Sequence, residues 1–357
     1  MKPIYTLLLI ILPLVADTSL RDKALAKGLK PTPKNLQELI KEVDDIQNPI
    51  TKEKIALGKK LFFDKNLSLD RTIACASCHD IKKGGEDSIP TAIGYKNQKN
   101  PKHLNTPTVL DTAYSKHLFW DGRANSLREQ AKGPIQAHFE MASTPKLIEE
   151  RVKENKEYQK SFEDIFGYDG ITFDNVTKVI AVYEKTLVTR GRYDEFLNGD
   201  DEALTREEKH GLELFIDMGC KACHFGTGVG GQKIQKFPLR NYNSFMDLTT
   251  YFNEDDKSRS TSHFRFNFKE YQPYPFENIG GFMGKDENRK FRVPILRNIS
   301  KTAPYFHNGV VKTLKEAIEI MAKEQLGLDL TKKQLDDLEA FLKSLDGKIV
   351  NFNIPEI

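Results

Sequence analysis

The sequence predicts a mainly α protein built as two similar halves, and three observations predict it. Each half holds one Cys-x-x-Cys-His pentapeptide, Cys75-Ala76-Ser77-Cys78-His79 and Cys220-Lys221-Ala222-Cys223-His224; together they use all 4 cysteines. Each pentapeptide follows a helical stretch ending in an aromatic residue (Leu61-Phe62-Phe63; Leu214-Phe215) and precedes a Gly-rich loop (Gly84-Gly85; Gly228 to Gly231). Helix-start signals recur along the chain, whereas strand-like alternation is sparse. A Cys-x-x-Cys-His unit is the attachment signature of a c-type haem. The two thiols form thioethers with the porphyrin vinyl groups, and the adjacent histidine is placed to ligate iron. Two zinc or redox cysteine pairs are the alternative. A Cys₄ zinc site needs no histidine directly after each pair, and a thioredoxin-like dithiol needs a βαβ pattern that is absent here. The fold class is therefore mainly α, two cytochrome-c-like haem domains with long loops, carrying two covalently bound haem c groups.

Residues 1–16 read as a signal peptide: Lys2 precedes an apolar run, Ile4 to Val15, too short to cross a bilayer. Ala16 is the expected end, without a clean A-x-A, and no cysteine follows it to carry a lipid. An uncleaved N-terminal anchor is the other reading. Because c-type haem is attached outside the bacterial inner membrane, the mature chain is expected in the periplasm, with no stable membrane insertion. Residues 17–50, polar and with Pro31, Pro33 and Pro49, read as an N-terminal arm or linker.

The first haem domain spans 51–195. Ser126 with Glu129 opens one helix as a capping box, and the stripe Val176, Val179, Ile180, Tyr183 and Leu187 marks a long one near its end. A boundary fits Arg190 to Glu202, where Gly191, Gly199 and a charge cluster break the periodicity. The second haem domain spans 196–345, with capping pairs Thr205–Glu208, Thr313–Glu316 and Thr331–Gln334, and 346–357 is a tail. Residues 232–290, rich in aromatics, Asn, Asp and Pro, read as a long, partly ordered inserted loop that covers a haem edge or a partner site. The net charge of +3, from 54 basic and 51 acidic residues, does not argue for nucleic acid, and most lysines are solvated faces.

These residues resemble the bacterial di-haem cytochrome c peroxidases, from about Ile55 to Leu345. The resemblance rests on Leu61-Phe62-Phe63-Asp64, Phe119-Trp120-Asp121-Gly122-Arg123, Gln130-Ala131-Lys132-Gly133-Pro134-Ile135 and Glu140-Met141 in the first half. In the second half it rests on Phe291-Arg292-Val293-Pro294, Leu296-Arg297-Asn298 and Ala303-Pro304-Tyr305-Phe306-His307. It implies reduction of hydrogen peroxide to water with electrons from a small cytochrome c or cupredoxin, typically in a homodimer. The peroxide-reacting haem would be held by Cys75, Cys78 and His79, and the electron-entry haem by Cys220, Cys223 and His224. Helical spacing alone makes Met321 a core residue on the face of Leu314 and Ile318; the resemblance makes it the axial ligand of the second haem. Met283 is the rival, with a distance from His224 nearer that of a single-domain cytochrome c. Glu140 resembles the family's distal acid–base residue, Gln130 its neighbour near the iron, and Trp120 an aromatic between the haems that helps electron transfer. Asn105, Thr302 and Pro304 match calcium ligands at the interface, and hard oxygen donors suit that ion. His307 is expected to hydrogen-bond near a haem rather than ligate it.

The chain departs from the family where many members place a histidine that caps the oxidised peroxide-reacting iron. Here Ile93-Gly94 is followed by Tyr95, and a short insertion runs from about Lys99 to Leu104. Tyr95 ligates as phenolate, hydrogen-bonds, or faces away; His103 is a second candidate at a different offset. The expectation is that Tyr95 does not cap as histidine would. Two other functions stay in view: a di-haem enzyme oxidising a protein partner, as the tryptophylquinone-forming relatives do, and a plain electron-transfer cytochrome. The former carry a tyrosine where Met321 stands.

Overall fold

The computed structural model describes residues 19–239 and 280–353. The signal-peptide reading at 1–16, the last tail residues and most of the 232–290 loop lie outside the described residues.

Two helix pairs organise the chain, each crossing at a glycine. In the first half, α3 (Lys52–Phe63) packs on α8 (Phe173–Lys185), together with α5 (Leu127–Gln136), α6 (Pro145–Glu154) and α7 (Lys156–Phe166). In the second half, α10 (Arg206–Asp217) packs on α12 (Lys332–Ser344), with α11 (Leu314–Met321) beside them. A Cβ at Gly58 would lie 2.0 Å from the Val179 carbonyl oxygen, and one at Gly211 would lie 2.0 Å from that of Asp337. The backbones therefore touch at both crossings, and only glycine permits it. The repeat visible in the pentapeptides thus extends to the helix in front of each one.

Capping explains the helix starts. Thr205–Glu208 and Thr331–Gln334 are full capping boxes, with each side chain bonded to the other's backbone N–H. Ser126 caps Glu129 N, but the Glu129 carboxylate accepts from Asn125 N, one residue earlier than a box requires. Thr313 accepts from Glu316 N without a reciprocal bond. The expected stripe is buried along α8, and Leu187 follows just past its end.

The arm holds more structure than its prolines indicate. Helices α1 (Leu20–Ala26) and α2 (Leu36–Val43) form there, capped by Ser19 and Asn35. Leu29 is buried among the second-half core, while Leu39 packs with Tyr114, Val188 and Phe352. The charged stretch around 190–202 is likewise ordered. Its strand β1 (Thr189–Gly191) pairs antiparallel with β4 (Gly347–Ile349), and α9 (Arg192–Leu197) buries Tyr193 and Phe196. The start of the tail thus returns to the end of the first half.

Buried polar bonds join the halves. Arg297, with 0% of its side chain exposed, makes two bonds to Asp194 at 2.9 and 3.0 Å, and Asp194 also accepts from Thr32 N at 2.8 Å. Burial alone would raise the Asp194 carboxyl, but the Arg297 guanidinium holds it below the usual range. Asp111 accepts from Thr189 N at 2.8 Å and from Asn298 Nδ2 at 3.3 Å. Burial pushes Asp111 up to about 6. At the foot of the inserted segment, β2 (Ile234–Lys236) pairs antiparallel with β3 (Lys290–Arg292), placing Arg292 opposite Ile234.

Candidate haem sites and the bridge between them

Cys75 and Cys78 form the ends of a single helical turn, α4 (Cys75–Cys78), and Cys220 opens a 3-10 turn, Cys220–Ala222. In both halves the pentapeptide histidine N donates to the carbonyl of the first cysteine, at 3.0 Å, which folds the histidine back toward the two sulfurs. None of the 4 cysteines is in a disulfide. Burial pushes the Cys78 thiol up to about 12 and the Cys220 thiol up to about 11.

The two histidines suit iron ligation. His79 Nδ1 lies 3.1 Å from the Gly85 carbonyl oxygen. Donation of that N–H fixes the tautomer and leaves Nε2 as a free donor to a metal. Gly85 has φ +77°, and a Cβ there would lie 2.7 Å from Thr108 Oγ1, so the loop that supplies this carbonyl requires glycine. His224 is buried, and its Nδ1 has no bond of good geometry, with the Val229 and Pro294 carbonyls beside it. Burial pushes His224 down to about 4, so the ring is neutral, as a ligand must be. The residues present therefore fit a covalent haem in each half.

One cavity brings together two of the first-half candidates, His79 and Gln130. It is lined by His79, Gln130, Leu118, Phe119, Glu184 and Arg292, among others. Glu184 Oε2 is buried without a hydrogen bond, and burial pushes its carboxyl up to about 8. Glu140 is part-buried close to Cys78. Burial raises its carboxyl, and the nearby Arg123 guanidinium opposes the rise. The Tyr95 segment lies directly against it: Tyr95 N donates to the Glu140 carbonyl at 2.7 Å, and a Cβ on Gly94 would lie 2.3 Å from the Phe139 carbonyl oxygen. The Tyr95 ring lies beside the Lys96 ammonium, 5.2 Å away. His103 occupies a left-handed turn closed by His103 N on the Asn100 carbonyl.

Trp120 lies at the junction of the halves. Its indole Nε1 donates to the Asn105 carbonyl at 2.8 Å, and the Arg292 guanidinium carbon lies 5.6 Å from its ring. The His307 ring meets it edge-on at 6.4 Å and stacks on Phe291 at 4.4 Å. Burial pushes His307 down to about 4, so it is neutral there. Met321, at the end of α11, packs into the same apolar group as Trp120, Phe237, Phe282 and Phe291. Met283, by contrast, belongs to a loop closed by Arg289 N on its carbonyl.

Asn105 N donates to the His307 carbonyl at 2.8 Å, three residues past Pro304 in sequence. Asn105 Nδ2 is used by the Ile89 carbonyl, which leaves its Oδ1 as an acceptor. Among the described residues no cluster of His, Cys, Asp and Glu has metal-binding spacing. The donors here are amide and backbone oxygens, the hard set that Ca²⁺ accepts.

Comparison with known proteins decides the family. The model of the family described as di-haem cytochrome c peroxidase matches residues 52–202. The cytochrome c551 peroxidase of Pseudomonas aeruginosa is 39% identical over 339 residues, which is 94% of this chain and 89% of that protein. The chain belongs to the di-haem cytochrome c peroxidase family. The methylamine utilization protein MauG of Methylophilus methylotrophus is more distant, 30% identical over 87% of each chain. Among solved structures, a MauG-like protein associated with microbial copper homeostasis superposes with a TM-score of 0.68 at 25% identity, covering 89% of this chain and 93% of that one. A family of di-haem peroxidases accounts for both pentapeptides. Among the described residues, no helix is long and apolar enough to cross a membrane.

Arg292 and Glu184 escaped the sequence reading as site residues. Arg292 stood inside the Phe-Arg-Val-Pro motif, but nothing in the sequence shows that its charge is buried. Glu184 follows Tyr183 on an apolar helix, where an acidic residue reads as the solvent face.

Proposed function

We propose that this protein reduces hydrogen peroxide to water at the site of His79, drawing electrons through the second half from a small cytochrome c or cupredoxin. The observation that carries it is a first-half cavity lined by His79, its Nδ1 held by the Gly85 carbonyl, and Gln130, with the part-buried Glu140 carboxyl close to Cys78. Haem iron supplies peroxide binding and the redox equivalents; the chain supplies protons and position. Glu140, as carboxylate, would take a proton from one peroxide oxygen and return it to the other. Gln130 orients the peroxide by hydrogen bonding. His79, its tautomer fixed by the Gly85 carbonyl, would hold the iron through Nε2.

The second half serves as electron entry, where His224 and Met321 would hold the second haem; a thioether ligand would raise its potential and favour electron acceptance. Trp120 links the two sites, its indole N–H held by the Asn105 carbonyl. From the family resemblance, Asn105, Thr302 and Pro304 would hold a calcium ion. Tyr95 does not cap the first iron: its backbone is tied to Glu140, and its ring lies with Lys96. The oxidised enzyme is therefore open to peroxide. From the family resemblance and the N-terminal sequence, we place the mature protein in the periplasm as a homodimer.

Similarity to MauG favours a second reading, peroxide-driven oxidation of a protein partner. The test is steady-state oxidation of a reduced small cytochrome or copper protein by the two-haem protein. The proposal predicts two donor electrons consumed per peroxide. Peroxide consumption without donor oxidation would favour the partner-oxidising reading, and no reaction with several donors would refute both.

A further inference from the structure

We propose that Arg292, supplied by the second half of the chain, completes the first haem pocket by binding a carboxylate of the haem carried on Cys75 and Cys78. This rests on the reading that the first pentapeptide carries haem. Arg292 is 4% exposed, its Nε has no hydrogen-bond partner, and no carboxylate pairs with it among the described residues. Desolvating an unpaired guanidinium costs several kcal/mol, so the fold implies an anion that only the loaded protein contains. Burial has lowered Arg292 to about 10, which leaves it charged at neutral pH. Glu184 lines the same cavity but forms no ion pair with it, and burial keeps that carboxyl neutral.

Position supports haem as the source of the anion. Arg292 lines the cavity that also holds His79 and Gln130. Its backbone N is fixed by the Trp120 carbonyl at 2.9 Å, and its strand is paired with β2. A haem brings two carboxylates, and a guanidinium fork matches a carboxylate with two parallel bonds. The β2–β3 ribbon at the foot of the inserted segment is thus a haem-binding element of the opposite half. It follows that loading of the first site and seating of the ribbon are coupled.

The test uses the two-haem protein and its Arg292→Met and Arg292→Lys variants, with each haem's potential resolved by spectroelectrochemistry. A buried positive charge favours the reduced haem. In R292M the first haem should shift toward the oxidised form by tenfold or more, about 59 mV for a one-electron couple, with the second haem unmoved. R292K should shift less, and its propionate vibrations in the first haem's resonance Raman spectrum should change. An R292M shift below twofold, or a shift confined to the second haem, would overturn the assignment. Where R292M does not accumulate, unchanged propionate vibrations in R292K would do the same. Haem content separates the two claims: a wild-type chain without haem at Cys75 and Cys78 sinks the functional reading, whereas two haems with unmoved potentials sink only this one.

Discussion

Replacing Glu140 by glutamine keeps the side chain's shape and removes its only basic group. The carboxyl is part-buried beside Cys78, and no hydrogen bond within the described residues occupies it, so the proton it would move is free to come from peroxide. Losing an acid–base group costs on the order of 10²- to 10⁴-fold, about 2.7 to 5.4 kcal/mol of barrier. E140Q should therefore slow the reaction with peroxide by ~10²-fold or more. Glu140→Asp should fall between the two, because it withdraws the carboxylate by about one bond and misplacement on the order of 1 Å is itself costly. The pH dependence carries the sign. Burial raises the Glu140 carboxyl above its usual range, with Arg123 opposing, and the active form is the carboxylate. Peroxide reactivity should thus fall as pH drops through that raised value, and E140Q should lose this limb. Stopped-flow measurement of the Soret change, over a range of peroxide concentration and pH, reads both quantities. A rate within threefold of wild type, with the acidic limb retained, would refute Glu140 as the base.

Further outcomes follow from the same geometry. Met321→His replaces a thioether by an imidazole, so the second haem's potential should fall; an unchanged potential would return the ligand to Met283 or another group. Tyr95→His restores the residue found in many relatives, so the oxidised first haem should become six-coordinate and low-spin by EPR. An unchanged high-spin signal would mean that the loop cannot reach the iron. Asp194→Asn strands the buried Arg297 charge and should cost about 3–5 kcal/mol in urea unfolding. In the wild type the Asp194 carboxyl is depressed below 3.8, so its stabilisation is present above that pH and is lost as pH falls through the lowered value. A loss under 1 kcal/mol in D194N would show that the pair is not what joins the halves.

The parts of this molecule that were legible in the sequence are those fixed locally. The pentapeptides place two sulfurs and a histidine within five residues, and Thr205–Glu208 and Thr331–Gln334 specify helix starts within four. The α8 stripe is equally local. What the sequence hid depends on partners far along the chain. Arg297 and Asp194 are 103 residues apart, and nothing near either one marks it as buried. Gly58 and Gly211 read as ordinary helix glycines until the helices that cross them are known. The arm at 17–50 looked like a linker because its helices are short and draw their order from packing against both halves. Arg292 could be read as one letter of a motif, but not as a charge lacking a partner.

The most direct test of the account mixes peroxide with fully oxidised two-haem protein and with protein pre-reduced by one electron, each followed by reduced cytochrome c. The account predicts rapid peroxide reaction and donor oxidation from both, because Tyr95 leaves the His79 site open. Turnover only after pre-reduction would contradict the open site, and no turnover from either would contradict the peroxidase itself.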